Sequence, residues 1–319
     1  MKKFVFQALK IVVSAGLIAL ALQNVELERL SVIIIQTQVA WLFVSLAFLS
    51  LSYVLGAMQW QWILQMAGLR LPYPKTLSYY YVGLFFNNFL ISGMGGDVLR
   101  VYDVQKHSPD KERLSPALAT VFFDRFMGLL TLLFLAGLMT SFVIGRETGV
   151  RFGLAILGLF FLWVLALIVL FHRPTADRIV KPMLRFLPDR FYTRLQHLYA
   201  ELHRFKSNPW SLLRLFSLSI IVQFLRILTI WAVGRAIGDS SLLLYYVIFV
   251  PVISLAASLP ISVGGTGPRE HTTIFLFGKI GVTAVMAFSI GFLSYLINLV
   301  STLPGAIIFV TRSDTKHGR

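Results

Sequence analysis

Apolar residues run almost unbroken through several stretches of this chain, 11–22, 39–58 and 155–171 among them, with polar and charged positions gathered between. Runs of this length predict membrane-crossing helices. About twenty apolar residues span the hydrocarbon core, and a helix satisfies its own backbone there. Full crossings are predicted near 8–22, 39–67, 116–143, 151–171, 211–237 and 284–310. Two further apolar stretches, 76–92 and 242–260, end in glycine-rich breaks, Ser92-Gly93-Met94-Gly95-Gly96-Asp97 and Ser262-Val263-Gly264-Gly265-Thr266-Gly267-Pro268. Short second arms follow near 98–106 and 268–280, which predicts two re-entrant, glycine-broken helical hairpins; eight complete crossings is the alternative.

The pattern also repeats. Trp41 and Trp210, Trp62 and Trp231, Gly95-Gly96 and Gly264-Gly265, and Arg100 and Arg269 are each 169 positions apart, and four of only six tryptophans fall into aligned pairs. The expected fold is an all-α polytopic membrane protein: one membrane domain over 1–319, a first repeat at 39–143, a linking span at 151–171, a segment at 172–209 and a second repeat at 210–310. The linking span inverts the second copy. Inverted repeats with broken helices meeting near the midplane are the architecture of secondary transporters.

Composition agrees with the pattern. Only 13% of the 319 residues are charged, against 57% hydrophobic, and the mean hydropathy is +0.76. A soluble domain carries about a quarter charged residues, so a water-facing fold is excluded. The net charge of +15 invites nucleic acid as a partner, but the basic residues sit in short loops between spans, and none is expected. With the N-terminus inside, 21 of the 29 Lys and Arg face inward, so both termini are expected in the cytoplasm of a bacterial cell, with the spans in its inner membrane. The 172–209 segment interleaves eight basic residues with apolar ones such as Phe186 and Leu187. It reads as an amphipathic helix on the anionic inner leaflet, or as a solvated loop carrying the topology signal.

Charge inside such spans is costly, which makes each instance informative. Asp97, Arg100, Asp124, Arg125, Arg226, Arg269 and Glu270 lie in or beside the apolar stretches. Two readings are open: a buried structural network, or a site for a phosphate-bearing group, favoured by four guanidiniums with no lysine. On the second, Arg100, Arg226 and Arg269 hold phosphate, while Asp97, Asp124, Arg125 and Glu270 balance charge or carry coupling protons. Gly95, Gly96, Gly264 and Gly265 let backbone approach the ligand, or simply make the turns. Asn87 and Asn88 line the same cavity or bond across helices. Tyr79-Tyr80-Tyr81 and Tyr245-Tyr246 fit an interfacial aromatic belt. There is no cysteine, no H-E-x-x-H, no Walker loop and no G-x-S-x-G. Neither metal nor other cofactor is expected, and no enzymatic activity.

At these motifs the chain resembles the lysylphosphatidylglycerol synthase transmembrane-domain family, also called flippase-like membrane proteins. The resemblance rests on Asn87-Asn88-Phe89-Leu90 through Gly95-Gly96-Asp97-Val98-Leu99-Arg100, on Asp124-Arg125-Phe126-Met127-Gly128-Leu129, and on Leu259-Pro260-Ile261-Ser262-Val263-Gly264-Gly265 through Arg269-Glu270. With Trp60-Gln61-Trp62 it covers roughly 40–310. Thr266-Gly267-Pro268 departs from the Leu-Gly-Val often found in the family. The resemblance implies translocation of lipid across the bilayer. No counterpart of the soluble aminoacyl-transferring domain of the large synthases is expected, so their synthase activity is not carried over. The expected cargo is a phosphate-bearing lipid: an anionic or aminoacylated phospholipid, or a polyprenyl-phosphate-linked sugar. Membrane lipids and, in a homo-oligomer, a second copy of the chain are the partners allowed. An ion-coupled carrier of a small soluble anion, or a non-transporting accessory subunit of a lipid-modifying enzyme, are the alternatives.

Overall fold

The computed structural model describes residues 35–89, 95–106, 115–141, 209–258 and 265–314, with Ile33, Ser262 and a few positions between 154 and 165. Every regular element among them is an α-helix. In chain order these are α1 (Val39–Met66), α2 (Tyr73–Phe89), α3 (Gly95–Gln105), α4 (Ser115–Ser141), α5 (Pro209–Ala236), α6 (Leu243–Ser258), α7 (Pro268–Gly278) and α8 (Ala284–Asp314). The first crossing predicted at 8–22, most of the linking span, the 172–209 segment and Gly264 lie outside the described residues.

Among the described residues, four helices are long and apolar enough to cross a membrane: Val39–Met66, Pro116–Met139, Trp210–Ala236 and Ala284–Arg312. They coincide with four of the six predicted crossings. Phe43, Leu51, Leu213, Ile221, Val300 and Ile307 stand exposed on them, the outward apolar surface that lipid, not water, tolerates. The chain is a multi-pass helical membrane protein. The helices flanking the glycine breaks are short, with 17 and 11 residues in α2 and α3 and 16 and 11 in α6 and α7. At 1.5 Å per residue α2 reaches about 25 Å, less than the roughly 30 Å hydrocarbon core.

Helix lengths recur in order. The first four helices have 28, 17, 11 and 27 residues, the last four 28, 16, 11 and 31. The corresponding pair α1 and α5 run antiparallel where they meet. Gln38 N donates to the Ala236 carbonyl at 2.8 Å, the Trp41 ring meets Trp231 edge-on at 5.5 Å, and Ser45 Oγ donates to the Thr229 carbonyl at 2.9 Å.

The residues divide into two compact units interleaved along the chain. One holds residues up to Val54, Leu77–Arg100 and Val222 onward; the other holds Leu55–Thr76 and Val101–Ile221. The core of the second unit is Ile63, Ala119, Phe123, Phe126, Met127 and Leu215. Several polar side chains inside it are partnered. Trp60 Nε1 donates to Thr120 Oγ1 at 3.3 Å, Gln59 Nε2 to Asp124 Oδ1 at 2.9 Å, and Thr131 and Ser219 share a hydroxyl contact at 2.7 Å.

Candidate functional site

The first unit holds Arg100, Arg226 and Arg269. Its geometry starts from glycine, because α2 and α3 touch through their backbones. A methyl group on Gly96 would lie 1.8 Å from the Gly83 carbonyl oxygen, a spacing only a residue without a side chain permits. Gly96 N donates to Asn87 Oδ1 at 2.8 Å, which satisfies one of the N–H groups a helix start leaves open. Gly96 therefore packs α3 onto α2 and gives its N–H to the protein.

One turn further along α3, Arg100 lays its stem over Gly83. Its guanidinium sits above the Tyr80 ring, 4.6 Å from the centroid, and Nη1 is 3.4 Å from Asp97 Oδ1. Arg100 and Asp97 are 4% and 8% exposed, so this is a buried ion pair, in which each charge is held only with its partner. From α5, Arg226 Nη2 donates to the Tyr80 hydroxyl at 3.3 Å. Two guanidiniums from different helices thus meet on one buried tyrosine, Tyr80.

A relay of amides and hydroxyls adjoins them. Tyr53 of α1 hydrogen-bonds through its hydroxyl to Asn298 Oδ1. Asn298 Nδ2 donates to Asn88 Oδ1 at 2.6 Å, and Asn88 Nδ2 to Thr302 Oγ1 at 2.9 Å. Tyr53 packs edge-on against Tyr81 at 6.0 Å and lies within electrostatic reach of Arg226 and Arg269. Arg269, at the start of α7, stands over Tyr295 at 5.2 Å. Its neighbour Glu270 is 3% exposed, and Glu270 Oε2 accepts from Gly267 N at 2.6 Å. That bond is the N3 half of a capping box, the half that needs only the backbone N–H of the N-cap residue; Gly267 takes φ 91°, and Pro268 sits in the first turn of α7, a position proline tolerates. Gly265 takes φ 76°, and a methyl there would lie 2.5 Å from the Ala257 carbonyl oxygen.

Arg100, Arg226, Arg269, Asp97, Glu270, Asn87, Asn88, Gly95, Gly96 and Gly265 all belong to this unit. Asp124 belongs to the other, bonded to Gln59, and Arg125 is exposed. One expectation changes. Tyr79, Tyr80 and Tyr246 are 8%, 4% and 0% exposed, which does not fit an interfacial belt: Tyr80 carries the arginines, and Tyr246 donates to Asp239 Oδ2 at 2.5 Å. The polar face of α8, Tyr295, Asn298, Thr302 and Gly305, was not singled out from the sequence. Its signal is polar or small residues at spacings of three and four inside an apolar run, one stripe of a helix.

The family model described as the lysylphosphatidylglycerol synthase TM region matches residues 7–305. The chain is also similar to the UPF0104 membrane protein PH1989 of Pyrococcus horikoshii, at 23% identity covering 97% of this chain and 96% of that protein. Matched across nearly its whole length, the chain belongs to the family of the lysylphosphatidylglycerol synthase transmembrane region.

Proposed function

We propose that the protein moves a phosphate-bearing lipid between the leaflets of a cell's plasma membrane, with both termini in the cytoplasm, and that it does so without catalysing a covalent reaction. The observation that carries this is the meeting of Arg100 and Arg226 on buried Tyr80, with Asp97 the carboxylate paired to Arg100. Guanidiniums held inside an apolar unit in excess of carboxylates favour an anion, and their planar fork suits phosphate. Arg226 lies well inside α5, one of the four candidate spans, away from the water-facing ends. The antiparallel α1 and α5, the recurring helix lengths and the short helices at the glycine breaks support an inverted repeat with re-entrant hairpins. Such an arrangement exposes a central site to alternate sides. The inward bias of basic residues supports the orientation.

The test is reconstitution into liposomes carrying a fluorescent anionic phospholipid, with a membrane-impermeant quencher reporting how much label reaches the outer leaflet. The native protein is expected to speed exchange. Arg226→Gln and Arg100→Gln are expected to lose most of it, while Lys75→Gln, in an exposed position, keeps it. Exchange at the native rate in both arginine variants overturns the reading. Uptake of inorganic phosphate without lipid exchange favours a soluble-anion carrier instead.

A further inference from the structure

We infer that Gln223 reads a hydroxyl on the lipid head group, so that the cargo is a hydroxylated phosphodiester, of the glycerol-phosphate or sugar-phosphate kind, and not an amine-bearing one. This rests on the phosphate-lipid reading above and narrows it.

Gln223 lies on α5 one turn before Arg226, and residues three apart are neighbours on a helix surface. It is 3% exposed, and its Oε1 is buried with no hydrogen-bond partner among the described residues. Arg226 has the complementary opening: Nη2 is bound to Tyr80, while buried Nε has no partner among them. Buried polar atoms are almost always satisfied, so an open acceptor beside an open donor calls for a group that supplies both partners. A phosphodiester oxygen accepts from Arg226, and a hydroxyl a few atoms away donates to Gln223.

An ammonium also donates, but the surroundings oppose it. Asp97 already faces Arg100, and Glu270 takes the Gly267 N–H. The ring faces of Tyr80 and Tyr295, the ordinary seats for a cation, are covered by Arg100 and Arg269. A positive head group therefore meets guanidiniums where these two carboxylates and these two rings are already engaged.

The experiment measures lipid affinities of the detergent-purified full chain by native mass spectrometry. The probes are dioleoyl phosphatidylglycerol, phosphatidylethanol (a phosphodiester without a hydroxyl), lysyl-phosphatidylglycerol, phosphatidylcholine and soluble glycerol 3-phosphate. Phosphatidylglycerol is expected to bind about tenfold more tightly than phosphatidylethanol, the effect of one buried hydrogen bond, and more tightly than its lysyl ester. Gln223→Leu should abolish the first preference while leaving both anionic phosphodiesters ahead of phosphatidylcholine. Gln223→Glu, close in size, should shift preference toward the lysyl ester, and it decides the matter if the leucine variant does not fold. Equal binding of phosphatidylglycerol and phosphatidylethanol by the native protein, as when a buried water satisfies Gln223, overturns the inference and leaves the phosphate site standing. So does an unchanged order of lipids in both variants. Phosphatidylcholine binding as tightly as phosphatidylglycerol overturns the phosphate reading itself. Competition by glycerol 3-phosphate at equal strength assigns the site to a soluble ester and overturns the lipid cargo.

Discussion

Gly83 of α2 and Arg100 of α3 are matched in shape: a methyl group on Gly83 would stand 2.6 Å from Cγ of Arg100 and 2.7 Å from its Cδ. The missing side chain is the groove in which the arginine stem lies on its way to Tyr80. Gly83→Ala should therefore destabilise the protein by about 1–3 kcal/mol, the usual cost of overpacking. Because the obstruction is one flexible side chain, Gly83→Ala combined with Arg100→Ala should cost less than the two changes added. Thermal melts of the four proteins in one detergent decide this.

Gly96→Ala and Gly305→Ala should be far more damaging. Their methyl groups would lie 1.8 Å from the Gly83 carbonyl oxygen and 2.2 Å from that of Tyr81, and backbone cannot swing aside as a side chain does. The expected outcome is loss of the monodisperse peak in size-exclusion chromatography for each. Recovery of folded Gly96→Ala protein at native yield would contradict the close packing of α3 on α2.

The amide relay predicts non-additivity. Asn298→Leu removes the partner of Asn88 Oδ1 and one of the partners of the Tyr53 hydroxyl, which Ser301 also engages, and an orphaned buried polar group costs about 1–3 kcal/mol. Asn88→Leu orphans the Nδ2 donor of Asn298 and removes one of the two bonds of Thr302 Oγ1, which keeps the Leu299 carbonyl. The double variant removes both sides of one bond, so its loss of stability should fall short of the summed single losses. A strictly additive result would mean that the two amides act independently.

At the turn from α5 to α6, Asp239 accepts from Ser241 Oγ at 2.8 Å and from the Tyr246 hydroxyl. Tyr246→Phe should cost about 1.5–3 kcal/mol, the range for a hydrogen bond to a charged group, with lipid exchange in liposomes unaltered. Reduced exchange at unchanged stability would instead tie this turn to the transport cycle.

Topology is open to direct measurement, since the chain has no cysteine. A single cysteine at position 240, in the turn between α5 and α6, should react with an impermeant maleimide in intact cells. One at position 70, between α1 and α2, should react only after permeabilisation. The reverse pattern would invert the orientation derived from the basic residues.

Much of the fold is legible in the sequence because lipid imposes a simple rule on it. Apolar runs such as 39–67 and 284–310 must be helices, and glycine breaks such as Gly95-Gly96 must interrupt them. Arg100, Arg226, Arg269 and Asn88 were visible as costly exceptions to that rule. What escaped was partnership. Tyr80 and Tyr246 look like ordinary interfacial tyrosines until helices from distant parts of the chain bury them, and Gln223 is a single amide in an apolar run. Asn298 and Thr302 gain meaning from Asn88, which lies 210 and 214 positions away. No local pattern marks a bond made over that distance.

Gly96 on one side and Gly305 on another bring α2 into direct contact with its neighbours at the Gly83 and Tyr81 carbonyls. Where side chains meet, their tips can change rotamer and one helix can slip past the next. Where backbones meet, there is no lubricating layer, so α2 is keyed to the start of α3 and to the Gly305 turn of α8 like a shaft to its hub. Tyr80, which joins Arg100 to Arg226, rides on that keyed piece. On the proposed function, motion that admits or releases a cargo would shear along interfaces lined by side chains, while the tyrosine stays fixed in relation to α3 and α8.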